Sequence, residues 1–275
     1  MRKAYTFLRP ISFQGPGIHS GKTATLTLTP APQGTGFRFI RTDLQNAIVP
    51  VLPQSLVLAS RSTHLSSNGV TIRTPEHLLS ACWALHLTDI DFYLSGEEVP
   101  ILDGSAKPFV EEIINAGYTE TTRDLTLNTV EAPVWIQEGD QQVLILPSDT
   151  PQFTYCLSYP QAFIGKQIET YTFTLSEYID RISAARTYGF MAEIEALRSR
   201  GLALGGSLDN AIVIQDTGYL NPLRFENELA AHKLLDLIGD FACLGYRLSA
   251  HIIGIKSGHS LHAQAVQHLA KRLPF

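Results

Sequence analysis

The sequence predicts an α+β fold made of two similar domains, each a mainly antiparallel sheet packed with two principal helices, with a shared cleft between them. Three observations carry that prediction. Short strand-sized runs of alternating or β-branched apolar residues fill the first part of each half. Each half then switches to a helical pattern containing a histidine. Each finishes with one strand, one loop and a closing helix. The echo is architectural, without letter-by-letter identity. It sets the domains at 1–120 and 126–275, with a helical and strand insert near 188–212 in the second.

In the first half, Ala4 to Leu8 leads into the glycine cluster Gly15-Pro16-Gly17-Ile18-His19-Ser20-Gly21, read as a connection between strands. Gly21-Lys22-Thr23 imitates the end of a phosphate-binding loop. The alternating run Thr23 to Leu28 follows where such a loop needs a helix, so the motif is rejected. Phe37 to Ile40 and Ile48 to Val51 are short strands, and Val70 to Ile72 follows the turn Asn68-Gly69. Thr74 is expected to cap a helix in which Pro75 is the first residue and His77 the third, running to about Leu87. A strand at Ile90 to Leu94 and a helix from Ser105 to about Ala116 follow. Gly117 closes that helix, and Thr119 to Arg123 reads as an exposed linker.

The second half places strands around Val134 to Ile136, Val143 to Leu146, Gln152 to Leu157 and Tyr171 to Phe173. Helical character over Met191 to Arg200, turns over Gly201 to Gly206 and a strand at Ala211 to Ile214 come next. Glu226 to Asp240 has no proline, no glycine before Gly239, and apolar residues at Leu229, Leu234, Leu235 and Ile238, which predicts an amphipathic helix. A strand at Ile252 to Ile255 and a helix from about Ser260 to Arg272 finish the pattern.

Composition excludes several classes. The chain of 275 residues is 44% apolar, as globular proteins are, yet only 17% charged, below the common quarter. Its apolar runs are strand-sized and far short of the ~20 residues of a membrane span. A net charge of -5 argues against nucleic acid as a partner. Met1 to Pro10 lacks the apolar core of a secretory signal. Cys82, Cys156 and Cys243 stand far apart and read as thiols of a reducing, cytoplasmic compartment.

The chemistry lies in polar residues at helical spacing. His232, Asp236 and Asp240 stand four apart, which aligns an imidazole and two carboxylates on one helix face. Two histidines and one aspartate make a common three-ligand metal set with an open position, so His77 is drawn to His232 and Asp236. Glu76, beside His77, would take a proton from water there. His259 follows a Ser-Gly turn before a helix, and Asp240 near it would fix its tautomer and favour its charged form. Each has a plainer reading: a solvated face for the helix, dipole complement for Glu76, a satisfied core imidazole for His77, a surface charge for Lys233, a turn for Thr187.

Seven segments in order resemble the UDP-3-O-acyl-N-acetylglucosamine deacetylase family. They are Gly15 to Gly21, Thr74-Pro75-Glu76-His77-Leu78, Pro100-Ile101-Leu102-Asp103-Gly104-Ser105-Ala106, Ala185-Arg186-Thr187-Tyr188-Gly189-Phe190, Gly205-Gly206-Ser207, His232 to Asp240, and Lys256-Ser257-Gly258-His259. The resemblance implies two domains of ribosomal protein S5 domain 2-like architecture around an active site at their interface. It implies a zinc-dependent hydrolase of lipid A biosynthesis, iron(II) being the alternative metal. Its substrate is an acylated UDP-sugar lipid precursor.

By the same resemblance, His77, His232 and Asp236 match the metal ligands, Glu76 the general base, and His259 with Asp240 the general acid and its partner. Thr187 and Lys233 match the groups that hold the oxyanion. Met191, Ile194, Leu208, Ala211 and Val213 match an apolar passage for the acyl chain, ordinary core packing being the alternative for each. Lys256 matches a basic position near the diphosphate, and His19 and Tyr188 match substrate contacts, Tyr188 standing where many members have Phe. The family's aromatic for the uracil ring is not evident around Cys156 to Pro160, Leu157 or Tyr159 being its substitutes there. A monomer with no transmembrane segment is expected, in peripheral contact with a membrane at most. The competing readings are a metal- and nucleotide-sugar-binding regulator without turnover, and a zinc amidase for another acylated sugar.

Overall fold

The computed structural model describes residues 3–272; Met1 and Arg2 of the expected leaderless start lie outside them. Along Thr23–Pro30 the residues Ala24, Leu26 and Leu28 are buried while the threonines between them face outward or lie at the margin. That period of two places the strand within a sheet with one face on the core. The five-stranded sheet runs Ile11–Pro16, Thr23–Pro30, Ile90–Leu94, Phe37–Arg41, Ala47–Pro50. All its pairs are antiparallel except Phe37–Arg41 with Ile90–Leu94.

The second half repeats this order in a six-stranded sheet: Val134–Glu138, Gln141–Pro147, Arg247–Ile255, Gln152–Ser158, Lys166–Thr172. Here too the late strand runs parallel to the third strand of its set and antiparallel to the second. Leu127–Thr129 adds a parallel pair to the same late strand. A three-stranded sheet of Leu56–Val57, His64–Ser67 and Val70–Arg73 stands apart. The fold is thus mixed α+β with antiparallel-rich sheets.

Six α-helices occur among the described residues: α1 (Glu76–Ala84), α2 (Lys107–Asn115), α3 (Leu175–Asp180), α4 (Met191–Ser199), α5 (Glu228–Ala242) and α6 (His259–Arg272). None is long and apolar enough to cross a membrane. Every residue of α1 is buried, and every residue of α5 except Lys233. The two helices pack chiefly on each other, with α5 also lying over Gln152–Ser158. A solvated polar face on α5 is therefore excluded.

Three expectations are corrected. Thr74 does not cap α1; its φ is +56° and its hydroxyl donates to Glu98 Oε1 at 3.1 Å, leaving Pro75 as the residue before the first turn. Thr119 to Arg123 is no linker but part of the strand Thr119–Asp124, paired antiparallel with Lys3–Thr6. Its polar letters hid it because it joins an exposed two-stranded ribbon. α5 starts at Glu228, not Glu226, because Asn227 takes the left-handed conformation at φ +60°.

The α1–α5 contact depends on Gly239. A Cβ at that position would stand 2.0 Å from the Glu76 carbonyl oxygen. Only a glycine admits so close a backbone approach. Gly239→Ala should therefore cost about 1–3 kcal/mol or more and lower the melting temperature by about 2–4 °C for each kcal/mol, as a thermal melt will measure.

Candidate metal centre and active site

The contact places the first turn of α1 against the middle of α5. His77 Nε2 comes 3.5 Å from Asp236 Oδ1, and His232 Nε2 comes 3.4 Å from the same oxygen. One ligand atom from each of the three residues lies within 4.8 Å of the others. The imidazole rings meet edge to face, with centroids 5.0 Å apart. His232 Nδ1 lies 3.1 Å from the Ala185 carbonyl oxygen, to which it donates, so Nε2 keeps its lone pair.

These residues fit a divalent cation on three counts. Asp236 Oδ1 is buried and has no hydrogen-bond partner, despite two nitrogens within reach. Tetrahedral bonds of about 2.0–2.1 Å put ligands ~3.3–3.4 Å apart, close to the observed separations. Burial pushes His232 down to about 3, against the pull of Asp236, so the imidazole is neutral as a ligand must be. Asp236 stays ionised: although burial opposes it, its neighbours His232 and Lys233 hold its carboxyl well below the usual range.

Around this set stand a carboxylate and a charged imidazole. Glu76 Oε2 accepts the Thr63 amide at 3.2 Å, while Oε1 lies 3.9 Å from His259 Nε2. Burial lifts Glu76 to about 7, with the neighbouring His259 and His77 opposing. His259 goes the other way: burial lowers it, but Asp240 and Glu76 outweigh burial and raise it to about 9. Its Nδ1 is 2.8 Å from Asp240 Oδ2, and its Nε2 3.8 Å from Asp236 Oδ2. Asp240 also accepts the Thr63 hydroxyl and His262 Nδ1, the latter at 2.6 Å. Burial works against its charge, but His259 and His262 bring Asp240 down to about 2.

Lys233 Nζ donates to Asp236 Oδ2 at 2.8 Å and lies 5.6 Å from the centre of the Tyr188 ring. The Ala185-to-Phe190 segment is pinned beside it. Arg186 makes a buried ion pair with Glu228 through Nε–Oε1 at 2.8 Å and Nη2–Oε2 at 3.1 Å, at the first turn of α5. The Thr187 amide donates to the Gly104 carbonyl at 2.8 Å, and the Thr187 carbonyl accepts Ile212 N at 2.8 Å. Tyr188–Phe190 then pairs in parallel with Ile212–Ile214.

A description of the UDP-3-O-acyl N-acetylglycosamine deacetylase family fits residues 4–271. The chain belongs to that family. It is 40% identical over 270 residues to the UDP-3-O-acyl-N-acetylglucosamine deacetylase of Geotalea uraniireducens, covering 97% of this chain and 88% of that protein. Like-named proteins of Leptospira biflexa and Thermosynechococcus vestitus are 42% and 38% identical, over 93% and 94% of this chain and 86% and 91% of theirs. Family members are metalloenzymes, in keeping with the donor set.

The fold thus brings Glu76, His77, His232, Asp236, Asp240 and His259 into one buried cluster, with the half-buried Lys233 and Tyr188 alongside, the Tyr188 ring 6.0 Å from that of His232. Other expected residues lie outside it. Met191 and Ile194 are on α4, and Leu208 and Ala211 lie in the loop beyond; Met191 and Leu208 are exposed, and Val213 is buried. Lys256 is paired with Asp140 at 2.8 Å. His19 borders a separate cavity that Ser260 also lines.

Thr63 and His262 were not foreseen, and Ser257 was read only as part of the turn before His259. His262 Nε2 is 2.8 Å from Ser257 Oγ, and Tyr159 shares a 3.0 Å hydrogen bond with the Tyr188 hydroxyl. The three-residue step from His259 to His262 could have announced one of them; nothing in the sequence around Thr63 marks it.

One divalent cation per chain is expected by metal analysis. A free concentration of ~1,000 times Kd should stabilise the protein by ~4 kcal/mol, a gain lost on chelation. His77→Ala should weaken affinity by more than about 100-fold, measured by competition with a chromogenic chelator.

Proposed function

We propose that this chain hydrolyses the acetamide of UDP-3-O-(3-hydroxyacyl)-N-acetylglucosamine to acetate and a free 2-amine, the committed step of lipid A biosynthesis. The observation that carries the proposal is the junction of a three-ligand metal set with a carboxylate and a charged imidazole in one buried cluster, in a chain of this family. Zinc is the metal that two imidazoles and a carboxylate suit, iron(II) being second. His77, His232 and Asp236 would hold it. Bound there, the metal would polarise the acetyl carbonyl and lower the pKa of water toward about 7.

The chain's own groups do the rest. Glu76 takes the proton of the attacking water, its second oxygen steadied by the Thr63 amide. Charge gathers on the carbonyl oxygen, and the Lys233 ammonium and Thr187 hydroxyl oppose it, each with about 3–4 kcal/mol. An amine leaves poorly unless protonated, so His259 Nε2 supplies a proton while Asp240 holds Nδ1. Water's oxygen ends on the acetyl carbon, the C–N bond breaks, and acetate departs as an anion.

The same reading keeps two domains, 1–120 and 126–275, in the ribosomal protein S5 domain 2-like arrangement, supported by the matched strand order of the sheets. It assigns Met191, Ile194, Leu208, Ala211 and Val213 to the acyl chain, supported by their grouping on the insert. Lys256 would meet the diphosphate by exchanging Asp140 for it, and His19 and Tyr188 would touch substrate. Tyr159, on Phe190 at 5.0 Å between ring centroids, is the aromatic available to the uracil. A cytoplasmic monomer meeting the membrane only peripherally completes it, the free thiols Cys82, Cys156 and Cys243 agreeing with a reducing compartment.

Three outcomes are expected. Glu76→Ala should keep its metal and lose activity by about 10²–10⁴-fold; near-normal turnover would remove Glu76 as the base. The profile of kcat/KM should be a bell, rising as Glu76 (about 7) loses its proton and falling as His259 (about 9) loses its own, with the cation moving both limbs to lower pH. His259→Gln should erase the falling limb, whereas a single limb in the unaltered enzyme would exclude the pair. Acetate should be released far faster from the acylated UDP-sugar than from UDP-N-acetylglucosamine; equal rates would exclude an acyl passage.

A further inference from the structure

Beside His259 lies a cavity of about 450 Å3, bordered by His19, Arg61, Ser62, His64, Arg73 and Ser260. No Asp or Glu is among the described residues that line it. Ser62 precedes Thr63, the partner of both Glu76 and Asp240, and Ser260 follows His259 in the first turn of α6, so one wall adjoins the reacting groups.

The lining is built of donors. Arg61 Nη2 meets Glu193 at 2.9 Å, and Arg73 Nε stands 2.8 Å from Glu97 as an ion pair without a hydrogen bond, so most donors of both guanidiniums are left over. The buried Glu98 lies against His19: it accepts the amides of His19 and Ser20, each at 2.8 Å, and the Thr74 hydroxyl. His19 Nδ1 and Ser62 Oγ are buried polar atoms without a hydrogen-bond partner, a condition native interiors avoid unless a water or ligand completes it. The N-terminal end of α6 adds a favourable field for an anion.

We propose that this cavity receives the small carboxylate released by hydrolysis, acetate, and passes it to solvent; this rests on the deacetylase reading. Acetate forms as an anion among Glu76, Asp236 and Asp240, and the cavity next to them is lined by arginines, imidazoles and hydroxyls, with Glu97, Glu98 and Glu193 standing behind that lining. Four non-hydrogen atoms in so large a space leave room for water and give weak binding, on the order of 1–10 mM, as an exit site requires.

The test follows the imidazole resonances of His19 and His64 in the metal-loaded full chain, titrated with sodium acetate against sodium chloride. Saturable shifts in the millimolar range are expected, weakened about tenfold or more in Arg61→Ala and largely restored in Arg61→Lys. Arg61 is half-exposed, so these variants fold. Acetate should inhibit turnover with the same order of affinities. Absent shifts, or shifts unchanged in Arg61→Ala because acetate sits on the metal, overturn the proposal. Inorganic phosphate shifting the same resonances at far lower concentration than acetate overturns it in favour of a larger oxyanion. Hydrolysis without carboxylate binding removes the exit site alone. Binding in a chain that hydrolyses no acylated UDP-sugar removes the enzymatic reading and leaves only an anion site.

Discussion

The approach of the α5 backbone to the Glu76 carbonyl, possible only because residue 239 lacks a side chain, sets the rest of the geometry. Metal ligands need placement to a few tenths of an ångström, and side chains on separate elements reach that only if their backbones are locked together. Here α1 supplies Glu76 and His77, while α5 supplies His232, Asp236 and Asp240 on the three turns that bracket the contact. A wider crossing would carry His77 away from Asp236 while leaving each helix intact. The glycine thus costs helix propensity inside α5, roughly 1 kcal/mol, and determines where two halves of the chain meet.

Such a cluster is electrostatically expensive. Three carboxylates, Glu76, Asp236 and Asp240, are all buried, and buried charges persist only when paired. The structure gives each a different partner. Asp236 faces Lys233 and the two imidazoles, Asp240 faces His259 and His262, and Glu76 has only a backbone amide and a more distant His259. The least compensated of the three is the one whose proton affinity rises to about 7. Environment alone sets the proton affinities of three like side chains apart.

The sequence made the helices legible because their polar residues fall at helical spacing, and made the cluster legible because His232, Asp236 and Asp240 share one face. What it could not supply was depth. The pattern in α5 suits a half-solvated helix as well as a buried one, and only its partner α1 decides between them. Thr63 escaped notice because its role comes from an irregular segment folded against α5, with 177 positions separating it from Asp240. The ribbon strand Thr119–Asp124 escaped because an exposed pair has no apolar alternation to display. The seven motif segments suggested roles on which periodicity is silent.

Those segments share a physical task. The turn Gly17 to Gly21 accepts Leu204 N at the His19 carbonyl at 3.0 Å and Gly205 N at the Ile18 carbonyl at 3.1 Å. Gly104, at φ +84° and with no room for a Cβ against the Asn210 carbonyl, accepts the Thr187 amide. Glycines therefore recur where backbone of the first half meets backbone of the insert. Hydrogen bonds between main chains are insensitive to most side-chain changes, so these junctions tolerate substitution of the residues around them. In the proposed assignment most catalytic side chains sit on the helices and the acyl-facing ones on the insert. A change of substrate preference can then leave the metal set undisturbed.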